Sequence, residues 1–497
     1  MRINKIGWIS IAITAVAVGT QIHAYLYILP LSLGPRVILQ PWLMQQNYLL
    51  YKNIADEHSP LMYFLLLAAQ PLASNSLEAA KLTLVLLIGL IALLTFWAGW
   101  ESGGWLSGTF SVLFFALWTP IFGYSKLWHE TFLAPLYILL VILWRILIPS
   151  RTNTHLFFTT GLLLGVALLI KQHALLVILA IALWHSLNSW RVRRPAQYLL
   201  WEIAFLFFGV SLPVSAFTIY YWLQTGTLKE LVFWVIIFNF INNYTQWASL
   251  RPSVDHIRLL VPAYLMLPPF IANLLNQGRQ DIRRIQEELG LVLLVSSSLM
   301  IYPRFGFFHL QASLPVLAWV SGTTLANIFY EGRKSKSSLY LIRGLVCSLP
   351  LLWMLYAGIP PVYNALRSGQ PRKIYEYSDL VPLANEIRQR IGPTDCIYVL
   401  PDDEATANLY YLTQCKPPEL WAPTSYPWFM IDTVKPQIVS ALEKASPVWI
   451  VYFPGRWGIE QHGQELLNYV QENYHLEATL SWAEGEVWLL RRTSPQK

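Results

Sequence analysis

Charged side chains are scarce in this chain. Only 13% of its 497 residues are Asp, Glu, Lys or Arg, against about a quarter in an ordinary soluble domain. So few charges cannot cover a water-soluble globule of this length, which excludes an ordinary cytosolic enzyme. Cysteine is scarcer still: three residues exclude a disulfide scaffold or a Cys-ligated zinc site. Acidic residues number 28 against 35 basic ones, but the basic excess lies in short loops between apolar runs. It forms no basic face, so it does not point to nucleic acid. What is abundant is apolar: 55% hydrophobic and 14% aromatic residues, with a mean hydropathy of +0.43. That composition excludes a disordered chain and implies a polytopic α-helical membrane protein.

A helical span needs about 20 mostly apolar residues. Such runs fall at 8–33, 80–98, 104–122, 129–147, 154–170, 173–188, 199–222, 257–275, 289–302, 310–330 and 339–358, predicting about eleven transmembrane helices. The first is too long, and too poor in a small-residue cleavage site, to be a signal peptide. Residues 61–73 and 231–241 are apolar but short and read as interfacial or re-entrant helices; if both crossed, the count would be thirteen with unchanged parity. Arg2, Lys5, Arg151, Arg191, Arg193, Arg194, Arg279, Arg283, Arg284, Arg333, Lys334 and Lys336 accumulate on one side of this map. By the positive-inside rule that side is cytoplasmic. The N-terminus is therefore expected inside and the C-terminus outside.

Composition changes near residue 359, dividing a transmembrane domain, 1–359, from a soluble segment, 360–497. There, helices are expected over 379–391, 404–412, 436–445 and 464–474, with strands over 396–400, 448–453, 476–481 and 486–491. The alternation predicts a small extracytoplasmic α/β domain with a largely parallel sheet. Cys396 and Cys415 are either a disulfide or core thiols.

The polar residues near span ends carry the functional signal. The first outer loop reads LLYKNIADEHSPL, with Asp56, Glu57 and His58 adjacent. The next ends in His129 and Glu130, a tight outer turn carries Lys171, Gln172 and His173, and a later loop holds Arg304 and His309. Each has an ordinary alternative. The Asp56–His58 run fits a solvated loop, Glu130 a helix N-terminus, and Lys171 a snorkelling side chain. Arg304 fits an interfacial anchor and His309 a packing residue. Taken together, acids in two outer loops and bases in two others suit an anionic lipid headgroup and a transfer reaction. Moving a sugar from a polyprenyl phosphate needs a carboxylate to take the acceptor proton. It also needs positive charge on the departing phosphate.

These stretches resemble a known family. LLYKNIADEHSPL is similar to the Y-x-D-I-x-D-x-x-P-P-L stretch of membrane glycosyltransferases of the GT-C fold, in particular the dolichyl-phosphate-mannose-protein mannosyltransferase-like family (glycosyltransferase family 39). WHETFLAPLYIL, GLLLGVALLIKQHALL and YPRFGFFHLQASLP resemble its second outer loop, its Lys-Gln turn and its later Arg/His loop, in the same order. The resemblance implies a polyprenyl-phosphate-linked sugar donor, a lipid, glycan or protein acceptor, and an inverting transfer on the outer face. Where the family has an acidic residue soon after the first span, this chain reads Val37-Ile38-Leu39-Gln40. That leaves Asp56 or Glu57 as base, Asp56 being preferred, with Glu130 as second acid. Lys171, Gln172, Arg304 and His309 fall to the lipid phosphate, with His58 and His129 in support. The resemblance fixes no cofactor: some relatives bind a divalent metal and others need none, and Asp56, Glu57, His58, His129 and Glu130 have the ligand types to hold one.

Three other functions compete: a secondary transporter or flippase, a lipid-linked polysaccharide polymerase or ligase, and a non-catalytic assembly protein. Transporters place polar groups near the bilayer midplane, often in inverted repeats. Here the polar groups crowd one interface. A polymerase would use a long outer loop, for which 224–255 is the candidate.

Overall fold

The computed structural model describes residues 5–28, 31–147, 153–241, 251–277, 282–302, 305–335, 377–392, 395, 397–417 and 435–493, with isolated residues between 349 and 356. Two compact units emerge. One comprises Met1–Pro30, Thr83–Thr218 and Thr245–Arg372, the other Leu31–Leu82, Ile219–Tyr244 and Lys373–Lys497.

Long apolar helices build the first unit. They are α1 (Lys5–Tyr27), then, after α2 (Pro35–Gln45) and α3 (Leu61–Ala69) of the other unit, α4 (Ser76–Trp118), α5 (His129–Leu147), α6 (Asn153–Ile170), α7 (Ala174–Arg191), α8 (Ala196–Tyr220), α9 (Val254–Tyr264), α10 (Leu267–Leu275), α11 (Ile282–Ser298) and α12 (Leu314–Ser335). Six helical stretches among the described residues are long and apolar enough to cross a membrane. The chain is an integral membrane protein.

The spans expected over 80–98 and 104–122 are the two arms of α4. They are joined at Gly103 and Gly104, where Gly104 adopts φ +76°. Glycine reaches that conformation at little steric cost, and the chain turns back on itself. A Cβ on Gly99 would lie 2.9 Å from the Gly108 Cα. The first helix stops at Tyr27, short of the 33 expected. The stretch expected to span 257–275 is one of the six apolar stretches, Val254–Leu275, with an interruption between α9 and α10 beside Pro262 and Pro268. Arg304, and all of the expected span 339–358 but four isolated residues, lie outside the described residues.

Between α6 and α8 the backbones almost touch. A Cβ on Gly161 would sit 2.0 Å from the Leu206 carbonyl oxygen, and one on Gly165 2.5 Å from that of Val210. Apolar lipid gives helices no hydrophobic reason to associate, so small residues that permit such approach do the packing. The GLLLG run thus seats the C-terminal end of α6, where Lys171 follows.

In the second unit, residues 31–82 join 219–244 and the tail. Among the described residues the short apolar segments do not reach spanning length: α3 has 9 residues, and 228–241 is built of helical turns of 5, 5 and 4 residues. The Tyr48 hydroxyl donates to the Pro417 carbonyl at 2.9 Å, and Trp42 meets the edge of Tyr411 with centroids 6.1 Å apart. The tail holds α13 (Leu380–Arg390), α14 (Asn408–Thr413), α15 (Lys435–Ala445) and α16 (Gln464–Asn473). Its four strands are β1 (Ile397–Leu400), β2 (Trp449–Tyr452), β3 (Tyr474–Trp482) and β4 (Gly485–Arg492). Their order is β1-β2-β4-β3. Only β1 and β2 run parallel; β4 is antiparallel to both β2 and β3. The expected largely parallel sheet is therefore mixed. Two residues separate Trp482 from its partner Gly485, and a connection that short makes a hairpin, never a parallel crossover. Cys415 is buried, with its Sγ 3.6 Å from the Thr413 carbonyl oxygen; Cys396 lies outside the described residues.

The Gly161 contact leaves no room for a methyl group. Gly161→Ala should destabilise the protein by about 1–3 kcal/mol through overpacking, lowering its melting midpoint in detergent by Trp fluorescence. An unchanged midpoint would mean α6 and α8 are not held at this distance.

Candidate functional site

Two clusters of buried charge, one in each unit, contain six of the residues singled out from the sequence. In the second unit α2 starts at Gly34-Pro35, where proline is preorganised for a first helical turn. Arg36 and Gln40 then share one helix face at i, i+4 spacing. The following loop is shaped by Tyr51, held at φ +72°, a region costly for a bulky side chain. Its amide donates to the Ile54 carbonyl at 2.6 Å and its hydroxyl to the His58 carbonyl at 2.6 Å. From the short helical segments of the same unit, Asn239 donates its side-chain amide to the Glu57 carbonyl at 3.0 Å.

This frame presses Asp56 and Glu57 against α2. Asp56 is 0% and Arg36 2% exposed, which overturns the solvated-loop alternative for this run. Gln40 Nε2 donates to Asp56 Oδ2 at 2.8 Å, and Arg36 Nε lies 3.3 Å from the same oxygen. Arg36 Nη2 donates to Glu57 Oε1 at 2.6 Å. The His58 amide and its Nδ1 lie 2.8 and 3.0 Å from Asp56 Oδ1. Arg36 Nη1 is 3.0 Å from His58 Nδ1 and 3.3 Å from Nε2. One nitrogen cannot donate to a carboxylate and accept from a guanidinium at once. The anion beside it favours the proton on Nδ1, leaving Nε2 to accept from Arg36. Burial pushes the Asp56 carboxyl up, but the Arg36 charge and the hydrogen bonds from His58 and Gln40 outweigh it and hold the group well below the ordinary carboxylate range. Asp56 is therefore an anion at any physiological pH.

Asp56, Glu57 and His58 offer three ligand atoms within 4.8 Å of one another, a donor set that suits a divalent ion by type. Arg36 already supplies the cation that both carboxylates face, so a metal would have to displace those ion pairs.

The first unit holds the other cluster. Glu130 stands in the first turn of α5, Lys171 follows α6, and His309 lies on a 3-10 turn, Phe307–Leu310. Lys171 Nζ donates to Glu130 Oε1, and His309 Nδ1 meets the same oxygen at 2.5 Å. Lys171 Nζ and His309 Nδ1 are 3.4 Å apart. Glu130 is fully buried and Lys171 3% exposed, which excludes the snorkelling alternative for Lys171. Glu130 Oε2 is buried without a hydrogen-bond partner among the described residues. Gln311 ties the 3-10 turn to α5 and to the preceding loop. It accepts from Thr131 at 2.7 Å and donates to the Gly123 and Lys126 carbonyls at 2.7 and 2.9 Å. His129 is buried, its ring edge-on to Trp128. Gln172 is half-buried at the turn beside Lys171.

The structure thus brings Asp56, Glu57 and His58 together, and separately Glu130, Lys171 and His309. Sequence reasoning missed Arg36, Gln40, Tyr51, Asn239 and Gln311. The first two carried a signal: two polar residues four apart in an otherwise apolar helix that begins with proline.

No protein-family model matches the chain, and no curated protein matches it. Solved structures do. ArnT from Cupriavidus metallidurans in the apo state is 12% identical over 97% of this chain and 98% of its own, with a TM-score of 0.62. The same protein bound to undecaprenyl phosphate is 12% identical over 99% of both chains, at 0.59. An Archaeoglobus fulgidus oligosaccharyltransferase tethered to an acceptor peptide containing the NVT sequon is 10% identical over 98% of this chain and 74% of its own, at 0.53. These are membrane glycosyltransferases of the GT-C fold, and the chain has that fold, as its motifs led one to expect.

The clusters generate two predictions. Because the folded Asp56 carboxyl lies below its unfolded value, its contribution to stability is complete above roughly pH 4. It is lost as pH falls toward the folded value. Asp56→Asn should therefore lower the neutral-pH melting midpoint and flatten its acid decline. An unaltered decline would assign that limb to other carboxylates. In the other cluster, Lys171→Met should cost about 3–5 kcal/mol by stranding a buried charge. Adding Glu130→Gln should recover much of that loss in chemical denaturation, and strictly additive losses would contradict the pairing.

Proposed function

We propose that the chain is a membrane glycosyltransferase that moves a sugar from a polyprenyl-phosphate carrier to the hydroxyl of a lipid, glycan or protein acceptor on the outer face of the membrane. The observation that carries this reading is the buried, ionised Asp56, gripped by Gln40, Arg36 and His58 in a chain of the GT-C fold. Undecaprenyl phosphate bound to an ArnT of the same fold supports the carrier class.

In the proposed reaction the acceptor oxygen bonds to the anomeric carbon as the carbon–oxygen bond to phosphate breaks. The carrier leaves as polyprenyl phosphate, and the hydroxyl proton passes to Asp56. An acidic carboxylate suffices because the transition state has oxocarbenium character. The incoming hydroxyl becomes acidic only as its new bond forms, so the proton moves late. Asp56 and Glu57 facing the single Arg36 leave net negative charge that favours a positive sugar centre.

Lys171 and His309 are the proposed donors to the carrier phosphate, with Gln172, and Arg304 outside the described residues, completing the set. Glu130 holds Lys171 and His309 in place as the second acid, His129 lies beside it, and His58 fixes Asp56. Charge asymmetry of the loops supports a cytoplasmic N-terminus and an extracytoplasmic 360–497 segment.

In nanodiscs the full-length protein should bind undecaprenyl phosphate, and Lys171→Ala should weaken that binding. Asp56→Asn should leave carrier binding intact while cutting transfer from a labelled polyprenyl-phosphate sugar by about 10²–10⁴-fold. Full transfer by Asp56→Asn with loss in Glu57→Gln would move the base one residue. Full transfer by both would overturn a carboxylate base in this segment, and carrier binding indifferent to Lys171 would overturn the phosphate assignment.

A further inference from the structure

A polar cavity opens at the end of α7 away from Lys171. Lys171 and Arg191 bracket α7, whose 18 residues span about 27 Å. At the Arg191 end, α5, α6, α7, α11 and the loop before α8 enclose a cavity of about 290 Å³. Its apolar wall is Trp144, Phe157 and Trp184, and its polar wall carries Arg191, Arg194 and Arg284.

The acids here are already engaged. Glu288 accepts from Arg284 Nε and Asn188 Nδ2, both at 2.9 Å, and from Trp184 Nε1 at 3.3 Å. Behind the cavity, Glu202 takes Arg194 Nη1 at 3.0 Å and His185 Nε2 at 2.7 Å. Arg191 is exposed and has no ion pair among the described residues. Three guanidinium groups facing two satisfied carboxylates leave one net positive charge beside an aromatic wall. Trp190, Tyr198 and Trp201 stand exposed around the same helix ends, the side-chain chemistry of a membrane interface.

We infer that this cavity binds the headgroup of an anionic phospholipid. The monoanionic phosphodiester would accept from Arg191 and the remaining guanidinium N–H groups, while its glycerol end packs on Trp144 and Trp184. Arginine suits this role because its planar donor fork matches two phosphate oxygens. The match of one surplus positive charge to one phosphodiester, together with the aromatic belt, favours a lipid over a free phosphate. The inference does not depend on glycosyl transfer.

Native mass spectrometry of the full chain released from phosphatidylcholine nanodiscs doped with phosphatidylglycerol provides the test. Wild type should retain phosphatidylglycerol selectively. Arg191→Glu, at an exposed position and so expected to melt as wild type, should retain about tenfold less, and Arg191→Lys an intermediate amount. Equal retention by wild type and Arg191→Glu, or retention of phosphatidylcholine as strong as of phosphatidylglycerol, would overturn the site. Thermal protection by inorganic phosphate equal to that by phosphatidylglycerol would overturn the lipid assignment in favour of a free phosphate.

Discussion

A guanidinium removed from water must be neutralised where it lies, and the buried Arg36 organises the second unit around that requirement. It cannot be buried without Asp56 and Glu57, and they cannot be buried without it. The loop that brings them back to α2 therefore accepts a tyrosine in a strained backbone conformation, stapled by hydrogen bonds at both ends of the bend. Gln40 and His58 take remaining lone pairs of Asp56, leaving its carboxylate oriented and ionised. The arrangement leaves an oriented, ionised carboxylate, which is what the proposed transfer needs of a base.

Glu130, Lys171 and His309 meet the same constraint in the first unit. Three helix ends that are distant in sequence converge on a single carboxylate oxygen. What keeps them there is not the ion pair alone. Gln311 spends its whole amide on Thr131 and two carbonyls, anchoring the turn that presents His309. The glycines of α6 let that helix press against α8, setting the position from which Lys171 emerges. In lipid, where burial of apolar surface gives helices no net attraction, packing of this kind carries the placement of a charged side chain.

The two ends of the helices in the first unit differ in kind. At one end Lys171 and His309 close on the buried Glu130. At the other, around Arg191 and Arg284, the acids are satisfied while guanidinium donors remain turned to an aromatic-walled cavity. One helix, α7, connects these environments, so a basic residue at each of its ends serves a different electrostatic purpose.

The helical membrane architecture was legible because scarcity of charge and runs of about 20 apolar residues act locally. Asp56, Glu57, Glu130, Lys171 and His309 stood out for the same reason: each alone has an ordinary use, but together they crowd the outer edges of apolar runs. The α4 reversal was legible only as the gap between the runs at 80–98 and 104–122. What these residues hold was decided by tertiary structure. Arg36 gave no signal of its own and Gln40 looked like a gap in a motif, because their partners lie 16 to 22 residues away around a strained bend. Gln311 and its partner Thr131 are separated by 180 positions, and the Glu130–His309 contact spans 179. The mixed sheet was set by a two-residue connection that periodicity does not register. Local composition determines which segments leave water, whereas pairing of buried charges depends on chain reversal and helix contact, which no local pattern encodes.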